Sequence, residues 1–260
     1  MKNKLTDLIV ARLCEQKEDL RKAFLIDHPI KVARHFVLDE LLPIEIATDI
    51  YNNFPKAKQM HLLHSPGKIK LKYSHLKEVA PLLQAINAAI QDPTVVAMIE
   101  NITGIPHQIP DPTRFAGGIS TLLRKYYINP HIDNSHDVEQ KRYYRTVNVL
   151  YYVSPDWQLG DGGHYELWDE AIENHILVPN LFNRLVVMET NRTSWHAVSP
   201  VVCDAPRCCV FNYFFSEHSP ENEPYFFDAP SFKPRPEQTV RRAIAAIKKI
   251  FLLNTSHVGL

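Results

Sequence analysis

The sequence predicts an α+β domain in which a helical N-terminal part supports a jelly roll of two β-layers, closed by a C-terminal helix. Apolar residues recur at helical spacing in the first hundred positions. Beyond Pro112, short segments rich in Val, Tyr, Phe and Leu alternate with turn residues. A chain of 260 residues, 45% of them hydrophobic, is long enough to build one such core.

The N-terminal part is predicted to contain four helices and one strand. Apolar residues at three- and four-residue intervals predict the first helix over Leu5–Leu25. His35–Leu38 is predicted to be a strand, and Pro43 begins a second helix that ends near Phe54, because proline is tolerated in a first helical turn. Two further helices are predicted near Ala80–Gln91 and Thr94–Asn101.

Seven strands are predicted in the second part of the chain. They are Ile119–Leu123, Tyr126–Asp133, Thr146–Val153, His164–Leu167, Arg184–Glu189, Trp195–Val198 and Arg207–Phe215. This number of short strands within about a hundred residues is typical of a double-layered jelly roll. A proline-rich stretch, Pro220–Pro236, then leads into a closing helix over about Gln238–Leu253.

We therefore expect one domain with three parts. Residues 1–112 form a mainly helical support, residues 113–216 the jelly-roll core and residues 217–260 the closing segment. Lys plus Arg and Asp plus Glu number 29 each, so no strong global field favours nucleic acid. The four cysteines lack CxxC spacing, and no stretch has the character of a signal peptide or membrane span. We expect a cytoplasmic protein without nucleic-acid or membrane partners; the sequence leaves the oligomeric state open.

A candidate metal site lies at His131 and Asp133. On a strand, residues i and i+2 point to the same face, so this pair can offer a nitrogen and an oxygen to one ion. The His131-x-Asp133 triplet alone is weak evidence for a metal site, since a His–Asp hydrogen bond at a turn would give the same sequence pattern. His196, in a later predicted strand, supplies a second imidazole. Two histidines and one carboxylate with open positions suit non-haem Fe(II), whereas zinc more often takes another protein ligand.

Arg207 begins a strand eleven residues after His196 and is expected to point into the barrel. A buried guanidinium needs an anionic partner, because an unpaired buried charge is costly. A dicarboxylate co-substrate would provide one, since its far carboxylate can form a bidentate pair with Arg while a 2-oxo acid end chelates iron. The sequence thus indicates a metal site and a co-substrate anchor in one barrel.

Several motifs surround these residues between about His35 and Phe215. They are His131-x-Asp133, Tyr144-Arg-Thr-Val-Asn-Val-Leu-Tyr-Tyr-Val-Ser-Pro-Asp-Trp157, Gly162-Gly163, Glu166-Leu-Trp168, His196-Ala-Val198 and Arg207. Together they resemble the prolyl-4-hydroxylase-like branch of the 2-oxoglutarate and Fe(II)-dependent oxygenases. The resemblance implies a double-stranded β-helix with iron ligands His131, Asp133 and His196, and with Arg207 as the 2-oxoglutarate anchor.

The resemblance also assigns the walls of the co-substrate pocket. Tyr152 matches the position whose hydroxyl bonds the 2-oxoglutarate carboxylate, and Val198 and Tyr213 match pocket-lining positions. The family's tyrosine in the strand before His131 is not matched, because Ser120-Thr121-Leu122 occupies that region. Co-substrate contacts from that strand are therefore left open.

The implied activity is that of an oxidoreductase, a dioxygenase that hydroxylates an unactivated C–H bond. It would use Fe(II), O2 and 2-oxoglutarate, which is decarboxylated to succinate, with ascorbate as an optional reductant. Asp133 favours hydroxylation over halogenation, because related halogenases carry a small residue there. The substrate is left open among a prolyl residue, a free amino acid, a sugar and a natural-product intermediate. The alternatives are a non-catalytic sensor that binds metal and 2-oxoglutarate, and a cupin-like metal-binding module.

Two further residues are candidates for the pocket. Asn148 precedes Tyr152 by four positions and shares its face on a regular strand. Arg145 lies at a strand start, where it can pair near Asp133 or touch substrate, and we expect a structural role. Glu166 is expected to be structural or substrate-facing rather than a ligand. Whether the loop over residues 134–143 closes over substrate is not decided by the sequence.

Overall fold

The computed structural model describes residues 1–73, 78–111, 117–221, 223–245 and 247. Five helices are bounded as α1 Lys2–Glu15, α2 Lys17–Leu25, α3 Ile44–Asn52, α4 Pro81–Ile90 and α5 Pro93–Thr103. The strands are β1 His35–Leu38, β2 His61–Ser65, β3 Lys68–Tyr73, β4 Ile109–Pro110, β5 Gly118–Leu122, β6 Tyr127–Ile132, β7 Tyr144–Tyr152, β8 Tyr165–Trp168, β9 His175–Val178, β10 Arg184–Glu189, β11 His196–Val198, β12 Arg207–Ser216 and β13 Ser231–Phe232.

The strands form one curled antiparallel sheet, which confirms the predicted fold class. Its order is β1-β10-β7-β12-β5-β3-β6-β11-β8-β9, with β2, β4 and β13 attached at the side. Strand β3 pairs with β5 on one side and with β6 on the other. It therefore links the two layers of the jelly roll.

The two faces of each layer differ in what they contact. On β7, Val147, Val149 and Tyr151 are buried in the same apolar cluster as Ile9 of α1 and Ile86 of α4. Successive side chains on a strand point to opposite faces. The alternate residues of β7 therefore face the space between the layers.

The first predicted helix is in fact two helices. Gln16 has φ −101° and ψ 6°, outside the helical region, and separates α1 from α2. The apolar spacing continues across this break, since Leu13 and Leu20 are both buried and seven residues apart. Periodicity alone could not reveal it. The other predicted helices and all seven predicted strands are confirmed to within a few residues at each end.

Five strands were not predicted from the sequence, of which the hairpin β2–β3 matters most. The first 112 residues contain helices α1 to α5, but this hairpin makes them part of the barrel wall as well. The short strands β4, β9 and β13 were also missed. Residues 239–245 are helical, in agreement with the predicted closing helix, whose part beyond residue 247 lies outside the described residues.

Within the described ranges, no single helix has the length and hydrophobicity needed to cross a membrane. The bent pair α4 and α5 meets these criteria only when the two helices are joined, and Leu83, Ile86, Ile99 and Ile102 of this pair are buried in the core.

Candidate active site

The strands bring His131, Asp133 and His196 together. His131 lies in β6, Asp133 directly follows that strand, and the β6–β11 register sets His196 opposite His131. The imidazole Nε2 atoms lie 3.7 Å from the Asp133 carboxylate oxygens in both pairs. All three side chains are buried, and one donor atom from each falls within 4.8 Å of the others.

Both histidines are oriented by backbone carbonyls. His131 Nδ1 lies 3.0 Å from the carbonyl oxygen of Asn129, and His196 Nδ1 lies 2.9 Å from that of Ser194. A carbonyl only accepts, so Nδ1 carries the proton in each ring and Nε2 keeps a free lone pair. Both Nε2 lone pairs are therefore available to an ion beside Asp133.

The electrostatics favour the metal-binding protonation states. Burial, together with His196, lowers the pKa of His131 to about 3, and burial also lowers the pKa of His196. Burial alone would raise the pKa of Asp133, but Arg145 and the two histidines hold it below its usual value. Near pH 7 the imidazoles are neutral and the carboxylate is ionised, as metal ligation requires.

Arg145 is the counter-charge of Asp133. Its guanidinium Nη1 lies 3.2 Å from Asp133 Oδ2, and the group stacks 3.9 Å from the centroid of the Tyr213 ring. The expectation that Arg145 pairs near Asp133 agrees with this geometry.

The donor set fits Fe(II). Among the described residues, the buried Asp133 Oδ2 has the ion pair with Arg145 but accepts no hydrogen bond, so it can still take an ion as a further partner. Two nitrogens and one carboxylate oxygen form the set that leaves positions open for co-substrate and oxygen. Within the described part of the chain, His131, Asp133 and His196 form the one cluster of three or more His, Cys, Asp or Glu side chains close enough to hold a metal ion.

Arg207 lies deeper in the barrel, at the start of β12. Its Nε donates to the carbonyl oxygen of Gly163, and its guanidinium lies 4.8 Å from the centroid of the Tyr152 ring. Gly163 has φ 65°, and a Cβ there would come within 2.9 Å of Arg207 Cδ, so glycine makes room for the arginine. The Tyr152 hydroxyl is buried beside Arg207 and, within the described ranges, forms no hydrogen bond of good geometry. Both groups are suited to bind a carboxylate.

A cavity lies between the two layers, beside the three candidate ligands. Seven residues singled out from the sequence line it: His131, Asp133, Asn148, His196, Val198, Arg207 and Tyr213. The remaining lining residues are Lys68, Lys70, Ser120, Leu122, Ile128, Leu150, Tyr165, Cys209, Phe211, Pro230 and Phe232. Tyr152 and Arg145 are not in the cavity wall and contact it through Arg207 and Asp133.

The lysines of β3 were not predicted from the sequence to belong to the site. Lys68 and Lys70 line the cavity although they precede the predicted core by more than forty residues. Burial, followed by repulsion from Lys72 and Lys68, lowers the pKa of Lys70 to about 8. The alternation Lys68-Ile-Lys-Leu-Lys72 was the available signal, because period-two alternation predicts a strand with one lysine face.

A C-terminal strap, residues 230–238, packs on strand β6, which carries the candidate ligand His131. In the strap, β13 pairs with β6 so that Phe232 stands opposite His131, and the two rings stack with centroids 5.0 Å apart. Arg235 donates to Glu166 of β8 and to the carbonyl oxygens of Ile128 and Val198. Glu166 is thus structural, one of its two expected roles.

The loop over residues 134–143 is organised around Asp137. The Asp137 carboxylate accepts hydrogen bonds from the backbone N–H groups of Gln140, Lys141, Arg142 and Tyr143. These four bonds give the loop a defined conformation next to strand β6.

A comparison with protein families matches residues 118–215 to the 2OG-Fe(II) oxygenase superfamily. The matched segment contains His131, Asp133, His196 and Arg207. No curated protein matched the chain.

Three solved structures share the fold. A Pseudomonas putida prolyl-4-hydroxylase is 16% identical, with TM-score 0.54, over 80% of this chain and 98% of its own. A Phytophthora capsici prolyl 4-hydroxylase is 15% identical, with TM-score 0.54, over 83% and 65%. A 2OG-Fe(II) oxygenase family oxidoreductase from Burkholderia pseudomallei is 12% identical, with TM-score 0.50, over 80% and 91%. At these identities the likeness establishes the fold.

Proposed function

We propose that the chain is a 2-oxoglutarate and Fe(II)-dependent oxygenase, as the family match over residues 118–215 indicates, and that it hydroxylates an unactivated C–H bond while 2-oxoglutarate is decarboxylated to succinate. The observation that carries this proposal is the buried group of His131, Asp133 and His196, with Arg207 on the wall of the same cavity. The substrate would be a small molecule or a peptidyl residue.

His131, His196 and Asp133 would hold Fe(II) through two Nε2 atoms and a carboxylate oxygen. Bound there, Fe(II) would supply the oxygen activation that this reaction needs. The protein contributes fixed tautomers through two backbone carbonyls and an ionised carboxylate through Arg145. These contacts would orient the three donor groups toward a bound ion.

Arg207 would bind the far carboxylate of 2-oxoglutarate, and the Tyr152 hydroxyl would donate to the same group. Val198, Leu122 and Ile128 line this part of the cavity and would exclude water from the co-substrate chain. The buried Asn148 Oδ1 has no hydrogen-bond partner among the residues that the structure describes, so Asn148 and its cross-strand neighbour Tyr213 would face the substrate.

The test is 2-oxoglutarate turnover by the purified protein. With Fe(II), ascorbate and 2-oxoglutarate under air, we expect succinate to form slowly even without substrate. Asp133→Ala should abolish this turnover because it removes an iron ligand, and Arg207→Ala should raise the 2-oxoglutarate concentration required. Asp204→Ala is the matched control, since Asp204 lies in an exposed ion pair with Arg124.

Two outcomes would contradict the proposal. Protein that binds Fe(II) and 2-oxoglutarate without forming succinate above an iron-free blank would be a sensor. Protein whose metal binding is indifferent to 2-oxoglutarate and to Arg207→Ala would be a simple metal-binding module.

A further inference from the structure

We propose that strand β3 forms an anion-binding wall of the cavity and that the molecule hydroxylated carries a carboxylate or phosphate group held by Lys68 and Lys70. This inference rests on the proposed function, because it takes the cavity beside His131, Asp133 and His196 as the substrate site. It adds the chemical class of the substrate.

The strand geometry turns the lysines toward the cavity. Residues 68, 70 and 72 share one face of β3, whereas Leu71, on the other face, is buried in the helix-side core. Lys68 and Lys70 both line the cavity. Because β3 joins the two layers, this lysine face forms a side wall next to the metal ligands.

Aromatic rings hold the ammonium groups in place. Lys68 Nζ lies 5.7 Å from the centroid of the Phe232 ring, and Phe232 itself stacks on His131. Lys70 Nζ lies 5.2 Å and Lys72 Nζ 5.4 Å from the centroid of the Phe211 ring. Cation–π contacts at these distances position a charge without neutralising it.

The charges along the cavity do not balance. In the described part of the chain, Lys68 and Lys70 form no ion pair with a carboxylate, and Asp133 is the single acidic residue among those that line the cavity. Asp133 already has Arg145 as its counter-charge. Partly buried cations of this kind are stabilised by an anion that enters the cavity.

The lysines are separate from the proposed 2-oxoglutarate anchor. Leu71 pairs with Thr121, so Lys70 stands beside Leu122, and Leu122 pairs with Arg207. Two strand spacings, about 10 Å between backbones, therefore separate Lys70 from Arg207. The side chains also lean toward different rings, Phe211 for the lysine and Tyr152 for the arginine.

Anion binding can be measured with the co-substrate site filled. Inorganic phosphate and propionate are titrated into protein loaded with Mn(II) and N-oxalylglycine, an unreactive analogue of 2-oxoglutarate, at constant ionic strength. Phosphorus and proton line widths report binding, and paramagnetic broadening by Mn(II) reports proximity to the metal. We expect saturable, Mn(II)-enhanced broadening of at least one probe, and the probe that binds identifies the anionic group as phosphate or carboxylate.

The variant Lys68→Gln/Lys70→Gln should weaken this binding by about tenfold or more, because two charge-assisted contacts are lost. Its affinity for N-oxalylglycine should stay within about twofold of the wild type, because Arg207, the proposed anchor of the far carboxylate, is unchanged in this variant. Lys31→Gln/Lys58→Gln changes the net charge equally at exposed positions and should bind the probe like wild type. Thermal unfolding checks that each variant is folded.

Three results would overturn the inference: no saturable binding to the wild type, binding that persists in Lys68→Gln/Lys70→Gln, or a matching loss of N-oxalylglycine affinity in that variant. The last would assign the lysines to the co-substrate. If the wild type does not bind Mn(II) and N-oxalylglycine, the proposed function is wrong, whatever the result for the anion. Line widths of the metal-free protein still report anion binding in that case.

Discussion

The ion pair of Arg145 with Asp133 explains how a carboxylate stays charged inside the barrel. Both side chains are almost fully buried, with 4% and 10% of their surfaces exposed. Breaking a buried pair on one side is costly, because the remaining charge has neither water nor a partner. Arg145 therefore maintains the charge of the candidate iron ligand without lining the cavity.

Arg145→Met should destabilise the metal-free protein by about 3–5 kcal/mol, because Asp133 loses its counter-charge. Added Mn(II) should recover part of this loss, since the ion replaces the guanidinium as the partner of the carboxylate. Urea unfolding with and without Mn(II) measures both effects. The control Arg124→Met breaks an exposed pair with Asp204 and should cost less than about 1 kcal/mol. Equal losses in the two variants would contradict this role of Arg145.

At the residue scale, the sequence predicted the groups that carry recognisable chemistry. His131 and Asp133 follow from strand spacing, and His196 and Arg207 from their order in the motifs. The stacking of Phe232 on His131 was not predictable, because it joins residues about a hundred positions apart and depends on β13 pairing with β6. Such contacts have no local sequence pattern.

At the scale of elements, the C-terminal strap supports strand β6 and its candidate ligand His131 from one side. Arg235 bonds Glu166 of β8 and the backbone of β6 and β11, so one guanidinium ties three neighbouring strands together. Trp168 Nε1 donates to the same Glu166 carboxylate at 2.9 Å. Phe232 of the strap also packs directly on Gly67, where a Cβ would lie 2.6 Å from the ring.

Arg235→Met should destabilise the protein by about 3–5 kcal/mol, because it leaves the Glu166 carboxylate buried and unpaired. The double variant Arg235→Met/Glu166→Gln should recover a large part of this loss, since a neutral amide oxygen still accepts from Trp168. Denaturant midpoints of the two single variants and the double variant form a cycle that isolates the pair. Strictly additive losses would show that the ion pair does not couple the strap to β8.

The lysine-bearing wall of the site, strand β3, was not predicted from the sequence. Its lysines alternate with apolar residues, but lysine is depleted in strands, and the segment lies among predicted helices. The lysine face of β3 is turned toward the cavity because β3 pairs with both β5 and β6. Pairing over such sequence distances is a property of the tertiary fold.

For the whole molecule, the sheet closes around a site whose parts come from separate regions of the chain. The family match over residues 118–215 includes the candidate iron ligands and Arg207. Strand β3 and the strap lie outside that match, yet Lys68, Lys70 and Phe232 line the same cavity. The α+β class and the jelly roll were predictable, because most helical patterns precede Pro112 and seven short strand patterns follow it within about a hundred residues.

A crystal structure of the protein with Mn(II) and 2-oxoglutarate would show directly whether His131, Asp133, His196 and Arg207 form the proposed site. We expect anomalous density for one ion bound by Nε2 of His131, Nε2 of His196 and the Asp133 carboxylate, with the far carboxylate of 2-oxoglutarate on Arg207. An ion bound elsewhere, or a 2-oxoglutarate carboxylate held away from Arg207, would contradict the account.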